Sequence, residues 1–553
     1  MKLLDNKKKL KRLDHRYHLT IIVFLIFIAF GGSLRNNYSL DDEFVTTPSN
    51  EKVDKGLNGI KEILLTPYSE EGVDNGAFEY RPLTMILFAI EKSVFGFNPG
   101  MGHFINLVLY VSIVLLLFQI LRILFPHEDS LTLVAILLLF SIHPLHSEVV
   151  LSLKNREELL VSLFGFSALY YSIKYSTEQS MLFGIISIFL LVLGVFVKST
   201  ITPFVIVIPV TLYFFRLFTA KQSTIFFLVA IVLMGIASFL PKLLLTIPAN
   251  RELNFIENPL LHLPFWKRLP MAFYSFLYYT KLHLIPFPLL AYYGYNQVPL
   301  LSWSDYQVYI GIVLAIASVV IFIYTQKKNK LLAYGILLFV LFILPYMSFP
   351  FPATGIIAER FTFNSVLGFS IIVVALLIKI SESLNIRYVL LATAVPSIIF
   401  IYFDTRRTSQ WRSKISLIEH DANVAKNSYK LQAMLGDLYQ EQISQTDNVT
   451  EKKELFEKTL RAYERAAQIY DQDAGLFNNI GTTFFAGGQY NNAVVLFEKA
   501  VELGANKDIN HFNLGLAYEL SNNLEKAKKQ YEIVLKSNAD YTSARQRLIE
   551  LNR

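Results

Sequence analysis

The stretch "LTIIVFLIFIAFGGSLRNNYSLDDEFV", residues 19–45, decides the fold class. Its apolar part belongs to a run over 18–34, and about 17–25 such residues are enough for a helix to cross a membrane. Three adjacent carboxylates, Asp41, Asp42 and Glu43, follow shortly after. The stretch therefore predicts a membrane span that ends beside an acidic cluster, which is either a hydrated loop or a reactive site at the membrane surface.

The composition indicates a membrane protein with several spans. Of its 553 residues, 53% are hydrophobic and only 17% are charged, against about 25% charged residues in a soluble domain. Cys is absent, which excludes structural disulfides and thiolate metal sites. The net charge of +7 is attributed to Lys and Arg placed around the membrane, so nucleic-acid binding is not predicted.

Apolar runs of crossing length recur along the first 403 residues and predict an all-α, polytopic helical bundle of about eleven spans. The predicted spans are 18–34, 101–124, 129–145, 157–174, 181–197, 201–217, 223–247, 306–324, 331–349, 361–380 and 388–403. Two further runs, 82–95 and 268–288, carry charged residues, and the second is rich in Tyr. These two are predicted to be interfacial or re-entrant helices, where aromatic and charged side chains are tolerated.

The distribution of basic residues predicts which loops face the cytoplasm. Seven Lys and Arg within the first 16 residues place the N-terminus inside, and eleven spans put the "QKKNK" loop at 326–330 inside as well. The outer face then collects 35–100, the "HPLHSEVV" turn at 143–150, 248–305 and the C-terminal region. A transporter would instead scatter charges near the midplane, so this sidedness favours an enzyme at the outer surface.

The chain turns polar after 403, and a fixed period appears. Ile480, Gly481, Phe484, Ala493 and Phe497 are matched 34 residues later by Leu514, Gly515, Tyr518, Ala527 and Tyr531. A 34-residue period with small residues where helices cross is typical of the tetratricopeptide repeat. The predicted domains are a membrane domain over 1–403, a connector over 404–430 and about three repeats over 431–553. Such repeats bind extended peptides or partner proteins, although the fold alone does not specify a function.

The acidic motif is the first candidate for chemistry. Neighbouring carboxylates repel, so the pKa of one rises while the other stays charged. A positioned carboxylate that takes a proton from an acceptor hydroxyl accelerates a reaction by roughly 10²–10⁴. Asp41 and Asp42 are therefore candidate general bases, and a hydrated acidic loop is the alternative.

Two segments further on carry polar residues at predicted membrane boundaries. Arg81 precedes a Pro that can open a helix, and His103 and Asn106 share a helical face; the alternatives are a snorkelling Arg and a satisfied interfacial His. The "HPLHSEVVLSLKNREELL" segment contains His143, His146, Glu148 and Arg156. A metal site is one interpretation of this second set, but Pro144 disturbs the helical spacing and the HExxH order is missing. Pocket-lining residues or helix caps are the other interpretation.

Three more charged residues stand at span boundaries. Lys198, Glu359 and Arg360 interrupt apolar sequence, and cations in such places can hold a lipid phosphate, Arg through two hydrogen bonds. Simple boundary anchors are the alternative. No Gly-rich phosphate loop, Ser-His-Asp order or nucleotide-binding fingerprint occurs in the sequence, so a soluble nucleotide-sugar donor is not predicted.

Taken in order, these segments resemble one known family. The matching pieces are "YSLDDEFV", "YRPLTMILF", "GHFINLVLY", "FSIHPLHSEVVLSLKNREELL", "FVKSTITP", "ENPLL", "AERFTFNSVLGF" and "TRRTSQWRS". In this order, and followed by repeats, they are similar to the transmembrane and tetratricopeptide-repeat-containing O-mannosyltransferases. That family belongs to the GT-C class of polyprenyl-phosphate-sugar glycosyltransferases.

The resemblance implies a GT-C-type bundle with its site on the outer face. It implies transfer of a sugar, mannose by family pattern, from a polyprenyl-phosphate donor to Ser/Thr hydroxyls of proteins. Asp41 or Asp42 would be the catalytic base, and Arg81, Lys198 and Arg360 would neutralise the donor phosphate. The pocket would contain Glu43, His103, Asn106, His143, His146, Glu148, Arg156 and Glu359. The family usually has Glu after the Lys at 198, whereas Ser199 follows here, which leaves the local charge balance open.

The same resemblance implies what else the chain needs and where it works. No nucleotide or redox cofactor is required, and a divalent cation, Mg²⁺ or Mn²⁺, suits a carboxylate and a phosphate. The expected location is a bacterial inner membrane, with the site and the repeats on the periplasmic or outer side, or the ER membrane in a eukaryote. Two alternatives remain: a glycosyltransferase acting on a glycan or lipid, and a non-catalytic membrane scaffold that presents the repeats.

Overall fold

A computed structural model describes residues 17–68, 80–245, 255–348, 355–380, 386–504 and 508–552. These residues form helices joined by loops, with no β-strand among them, so the predicted all-α fold is confirmed. The basic residues before Tyr17, on which the cytoplasmic N-terminus was predicted, lie outside the described part of the chain.

The first compact unit comprises 1–291 and 300–417. Its helices before the repeats are α1 (Tyr17–Arg35), α2 (Glu43–Thr46), α3 (Glu51–Asp54), α4 (Ile60–Leu65), α5 (Pro82–Phe95), α6 (Pro99–Leu124), α7 (Ser130–Ser141), α8 (Ser147–Leu151), α9 (Arg156–Glu178), α10 (Met181–Val195), α11 (Phe204–Phe214), α12 (Ala220–Leu244), α13 (Phe265–Leu284), α14 (Tyr306–Thr325), α15 (Lys330–Ile343), α16 (Ser365–Ile380), α17 (Ile386–Gln410) and α18 (Lys414–Val424). The predicted connector 404–430 is therefore largely helical, and the division between the units falls inside α18.

Five of the described helices are long and apolar enough to cross a membrane. They are α1, α6, α12, α14 and most of α17. A further span would be α7 together with Pro144–Leu151, a pair bent by 53°. The shorter apolar helices are Met181–Val195, Ser199–Phe214, Lys330–Tyr346 and Ser365–Ile380. A straight crossing takes about 20 residues at 1.5 Å each. Because five helices reach that length, the chain is a membrane protein. Because the other apolar helices are shorter, the eleven-span count stays a prediction.

The two ambiguous runs are both helical, as α5 and α13. Pro82 opens α5, where its missing N–H costs nothing, and Gly96 ends it with a φ of 69°. The buried face of α5 presents Met85 and Phe88 to Val45 and Val53 of the preceding loop. This apolar contact holds the segment after α1 against α5. Whether either helix crosses the membrane stays a prediction.

The second compact unit comprises 292–299 and 418–553. Its helices are α19 (Tyr429–Gln445), α20 (Val449–Ile469), α21 (Ala474–Ala486), α22 (Tyr490–Glu502), α23 (Asp508–Leu520), α24 (Leu524–Ser537) and α25 (Thr542–Leu551). They form three helix pairs and a terminal helix, as the 34-residue period predicted. The first repeat contains an additional polar stretch, "QEQISQTDNVTEKKE" at 440–454. Its helices α19 and α20 have 17 and 21 residues, against 13 in α21 and in α22.

Each helix pair packs an aromatic ring against a glycine. A Cβ placed on Gly481 would lie 2.7 Å from the ring of Phe497, and one on Gly515 would lie 2.5 Å from the ring of Tyr531. Gly436 faces Tyr463 in the same way, at 2.4 Å. The small residues of the repeat are therefore required because the facing helix brings an aromatic side chain into the space that a Cβ would occupy.

We expect Gly481→Ala to lower the free energy of unfolding by about 1–3 kcal/mol, because overpacking displaces the Phe497 ring. Gly475→Ala is the matched control, since Gly475 lies at the exposed start of the same helix and its nearest neighbour to an added Cβ is 3.2 Å away. Thermal unfolding of the detergent-solubilised protein, followed by circular dichroism, measures both. Equal stability of the two variants would contradict the packing argument.

Candidate active site

The acidic motif is tied to a distant part of the chain. After α1, the Asn36 amide donates to the carbonyl of Thr408 (2.9 Å), and the backbone N–H of Asn37 donates to the carbonyl of Arg412 (2.9 Å). Glu43, 45% exposed, forms an ion pair with Lys414 at 3.1 Å. The "TRRTSQWRS" segment therefore positions the acidic motif, although nearly 400 residues separate the two in sequence.

The two aspartates of the motif have different environments. Asp42 is fully buried and accepts four hydrogen bonds. Ser39 donates its backbone N–H (3.1 Å) and hydroxyl (3.3 Å) to Oδ2, while the Ser152 hydroxyl (3.1 Å) and the Lys154 backbone N–H (2.8 Å) donate to Oδ1. Burial raises the pKa of Asp42 to about 6, against the opposing effect of these bonds. Asp42 thus joins the motif to the loop before α9.

The side chain of Asp41, in contrast, is exposed to solvent. Its carboxylate is 63% exposed, and its nearest cation is the Lys154 ammonium at 3.9 Å. Because all four donors around Asp42 require an acceptor, only Asp41 can exchange a proton with an outside molecule without losing internal hydrogen bonds. The sequence left open which of the two aspartates is the base, and the structure divides them into an exposed carboxylate and a buried, hydrogen-bonded one.

Two glutamates at the start of α9 gather the predicted phosphate-binding cations. The Glu157 carboxylate binds the Arg81 guanidinium and lies 3.1 Å from the Lys198 ammonium. Glu158 lies 2.9 Å from the same ammonium and accepts a hydrogen bond from the Thr200 hydroxyl at 2.9 Å. The charge balance that Ser199 left open is thus provided by Glu157 and Glu158.

Arg360 is held by Glu148. Its guanidinium donates to Oε1 and its backbone N–H donates to Oε2, each at 2.8 Å. Burial disfavours the charged form of Arg360, but Glu148, Glu158 and Asp41 outweigh it and raise its pKa. Asp41 is therefore close enough to Arg360 for their charges to interact. The three cations predicted from the sequence, Arg81, Lys198 and Arg360, are each engaged with a carboxylate.

Arg156 and Asn106 belong to a buried network of hydrogen bonds. The Arg156 guanidinium is fully buried and binds the Glu91 carboxylate, the Asn106 side-chain oxygen (2.7 Å) and the Gly102 carbonyl (2.8 Å). It also lies over the ring of Phe88 at 4.5 Å. Asn106 in turn donates to the carbonyls of Val150 and Ser152 at 3.1 and 3.0 Å. These bonds fasten α5 and α6 to the start of α9, and a role of Arg156 and Asn106 in a substrate pocket stays a prediction.

The predicted pocket histidines and Glu359 are also buried. His143 Nδ1 accepts from the Leu145 N–H (3.3 Å) and caps the turn before α8, while His146 bonds the Tyr110 hydroxyl at 2.6 Å. His103 is fully buried in α6. Glu359 accepts from the Leu290 N–H at 2.7 Å. Among the described residues no three His, Asp or Glu side chains are arranged to hold a metal ion. Binding of Mg²⁺ or Mn²⁺ stays a prediction.

Three residues of this cluster were missed in the sequence, namely Lys154, Glu157 and Glu158. All three lie in the "SLKNREELL" segment. Acidic residues are common in the first turn of a helix because they interact favourably with the helix dipole, so Glu157 and Glu158 do not stand out in the sequence. Burial of the Lys154 ammonium lowers its pKa to about 8, with Glu157 and Asp41 opposing the shift. The available signal in the sequence was the grouping of two basic residues, Lys154 and Arg156, with two acidic ones within positions 154–158.

We expect Asp42→Ala to destabilise the protein, by about 1–3 kcal/mol for each buried donor left unpaired. Asp41→Ala, one residue away but exposed, should change the stability by about 0.5 kcal/mol or less. Thermal unfolding of the two purified variants at pH 7.5 makes the comparison. Equal destabilisation would show that the structural and exposed roles have been assigned wrongly.

The comparisons with known proteins agree with the order of the motifs. A tetratricopeptide-repeat family model matches residues 474–506 and 510–541. "Protein O-mannosyl-transferase TMTC3" of Mus musculus is 23% identical over 76% of this chain and 47% of its own length. "Protein O-mannosyl-transferase F38B6.6" of Caenorhabditis elegans is 22% identical over 76% of this chain and 60% of its own. "Protein O-mannosyl-transferase TMTC1" of Homo sapiens is 22% identical over 73% of this chain and 49% of its own length.

These matches cover the membrane region and not the repeats alone, since three quarters of the chain takes part. The chain spans about half the length of the curated relatives it matches. The resemblance carried by the short motifs is thereby confirmed: this membrane protein with tetratricopeptide repeats is a relative of the transmembrane and tetratricopeptide-repeat-containing O-mannosyltransferases.

Proposed function

We propose that the protein is a membrane glycosyltransferase that moves a sugar from a polyprenyl-phosphate donor to a Ser/Thr hydroxyl of a protein. The observation that carries this proposal is the exposed Asp41 carboxylate 3.9 Å from the Lys154 ammonium. The charge of Lys154 interacts with those of Arg81 and Lys198, and the charge of Asp41 interacts with that of Arg360. A carboxylate that accepts a proton and cations that receive a phosphate are the two groups that this reaction needs. Mannose is proposed as the sugar because the similar proteins are named O-mannosyl-transferases.

The chemistry is a single displacement at the anomeric carbon. The acceptor oxygen forms a bond to C1 while the bond from C1 to the phosphate oxygen breaks, and its electron pair leaves with the lipid phosphate. The hydroxyl proton passes to the Asp41 carboxylate. No electron donor or acceptor is needed, because neither partner changes its oxidation state.

The surrounding charges favour the products. As the phosphate leaves it gains negative charge, and preorganised cations stabilise that charge without reorganising. Glu157, Glu158 and Glu148 hold Arg81, Lys198 and Arg360 in fixed positions. Holding donor and acceptor together at such a site supplies much of the remaining rate acceleration.

The proposed location follows from the loop charges. With the basic loops in the cytoplasm, Asp41 and the repeats lie on the outer side of a bacterial inner membrane, or in the ER lumen of a eukaryote. Polyprenyl-linked sugars reach that side without soluble nucleotides, which agrees with the absence of a nucleotide-binding motif from the sequence.

We expect Asp41→Asn to lower the transfer rate by about 10²–10⁴-fold while leaving donor binding nearly unchanged, because only the proton acceptor is lost. The measurement is transfer of labelled mannose from a polyprenyl-phosphate donor to a Ser/Thr peptide by the purified protein. Asp54→Asn is the matched control, since Asp54 is 51% exposed in the same 35–100 loop and pairs with Lys92. Full turnover by Asp41→Asn would remove the catalytic assignment.

The repeats are proposed to bind the protein acceptor. Deletion of 418–553 should then reduce mannosylation of a folded protein acceptor by about tenfold or more, because a second binding site raises the effective concentration. Transfer to a short peptide should fall much less. Equal losses for both acceptors would contradict this role, and mass spectrometry showing label only in glycolipids would favour the lipid-acceptor alternative.

A further inference from the structure

The cations predicted to bind the phosphate are already occupied by protein carboxylates. Arg81 binds Glu157, Lys198 lies 3.1 and 2.9 Å from Glu157 and Glu158, and Arg360 lies 2.8 Å from Glu148. These side chains are at most 23% exposed. A phosphate that displaced any of the carboxylates would leave a buried negative charge without its partner, which costs several kcal/mol.

Lys154 is held more loosely than these cations. The one carboxylate found within 4 Å of its ammonium among the described residues is Asp41, at 3.9 Å, which is beyond hydrogen-bond distance. Its side chain is 23% exposed, the same fraction as for Arg360, against 10% for Arg81 and 8% for Lys198. The Lys154 backbone is fixed through the hydrogen bond from its N–H to Asp42. The ammonium can therefore take a new partner without breaking a hydrogen-bonded ion pair, since its contact with Asp41 is 3.9 Å long.

We infer that the Lys154 ammonium, beside the proposed base Asp41, is the cation that contacts the leaving phosphate of the donor. This inference rests on the proposed function. Arg81 and Lys198 are then positioning residues, whose charges neutralise Glu157 and Glu158. Because Lys154 lies next to Asp41, the group that accepts the proton and the group that binds the phosphate are side by side.

The charges around Lys154 make this contact dependent on pH. Asp41 and Glu157 favour its charged form, Lys198 and Arg81 disfavour it, and burial, the largest effect, brings its pKa down to about 8. A lowered Lys pKa means that the charge is present below pH 8 and is lost as the pH rises through 8. The kcat/KM for the donor should therefore fall above pH 8, whereas an Arg at 154 stays charged throughout this range.

The first test measures transfer by the full-length protein. Lys154→Gln should lower kcat/KM for the polyprenyl-phosphate donor by about 100-fold, as loss of one preorganised charge does at such sites. Lys154→Arg should restore most of the activity and abolish the decline above pH 8. Lys92→Gln is the matched control, because Lys92 is 27% exposed and pairs with Asp54 at 3.1 Å, away from the cluster. A purely structural role for Lys154 would not move the pH profile.

The second test does not require transfer. Binding of farnesyl phosphate to the detergent-solubilised protein is measured by calorimetry, with farnesol as the control that lacks the phosphate. Lys154→Gln should weaken farnesyl phosphate binding by at least tenfold, and Lys154→Arg and Lys92→Gln should leave it within threefold of the unaltered protein.

The two tests separate the failure of the inference from the failure of the function. If the unaltered protein transfers sugar but Lys154→Gln does so equally well, the inference is wrong and the proposed function stands. If farnesyl phosphate binds through Lys154 while no sugar is transferred to any acceptor, the phosphate position stands and the proposed function is wrong. Unchanged binding of farnesyl phosphate to Lys154→Gln overturns the inference in either case.

Discussion

A charged group taken out of water needs a partner of opposite charge or several hydrogen bonds, and this constraint shapes the region around the acidic motif. Asp42 meets it with four donors. Arg156 meets it with Glu91 and two oxygen acceptors. These contacts join the loop after α1, the helices α5 and α6, and the start of α9. Since either contact would be costly to break, the frame that they build is rigid.

The reactive groups are placed on that frame by neighbouring residues. Asp41 directly precedes Asp42 in the chain. Lys154 donates its backbone N–H to Asp42, and its side chain lies beside Asp41. Glu157 directly follows Arg156 and holds Arg81 and Lys198. In both segments a buried anchoring residue therefore adjoins a residue of the charged cluster, which is exposed at Asp41 and buried at Glu157. A local substitution at an anchor would move the proposed base and the cations together.

The repeat unit depends on a different physical device. There the helices of each pair approach closely because Gly436, Gly481 and Gly515 leave space for an aromatic ring of the facing helix. This packing is local in sequence, so the 34-residue period was visible without a structure, and the three helix pairs were predicted with it. In the first repeat the additional residues lengthen both helices, because polar residues with good helix propensity extend the helical turns.

What the sequence by itself determined are the features that depend on near neighbours: apolar runs that make this a membrane protein, an all-helical fold, the repeats, and the ordered motifs that relate the chain to the O-mannosyltransferases. Periodicity and length carry that information because a helix and a span are formed by consecutive residues. Only the tertiary structure decided which of Asp41 and Asp42 is exposed, that Arg156 and Asn106 are internal fasteners, and that Glu157, Glu158 and Lys154 belong to the cluster. These outcomes depend on donors and charges from segments that are 50 to 112 residues apart in sequence. Burial of Asp42 rather than of Asp41 depends on which of the two side chains faces those segments.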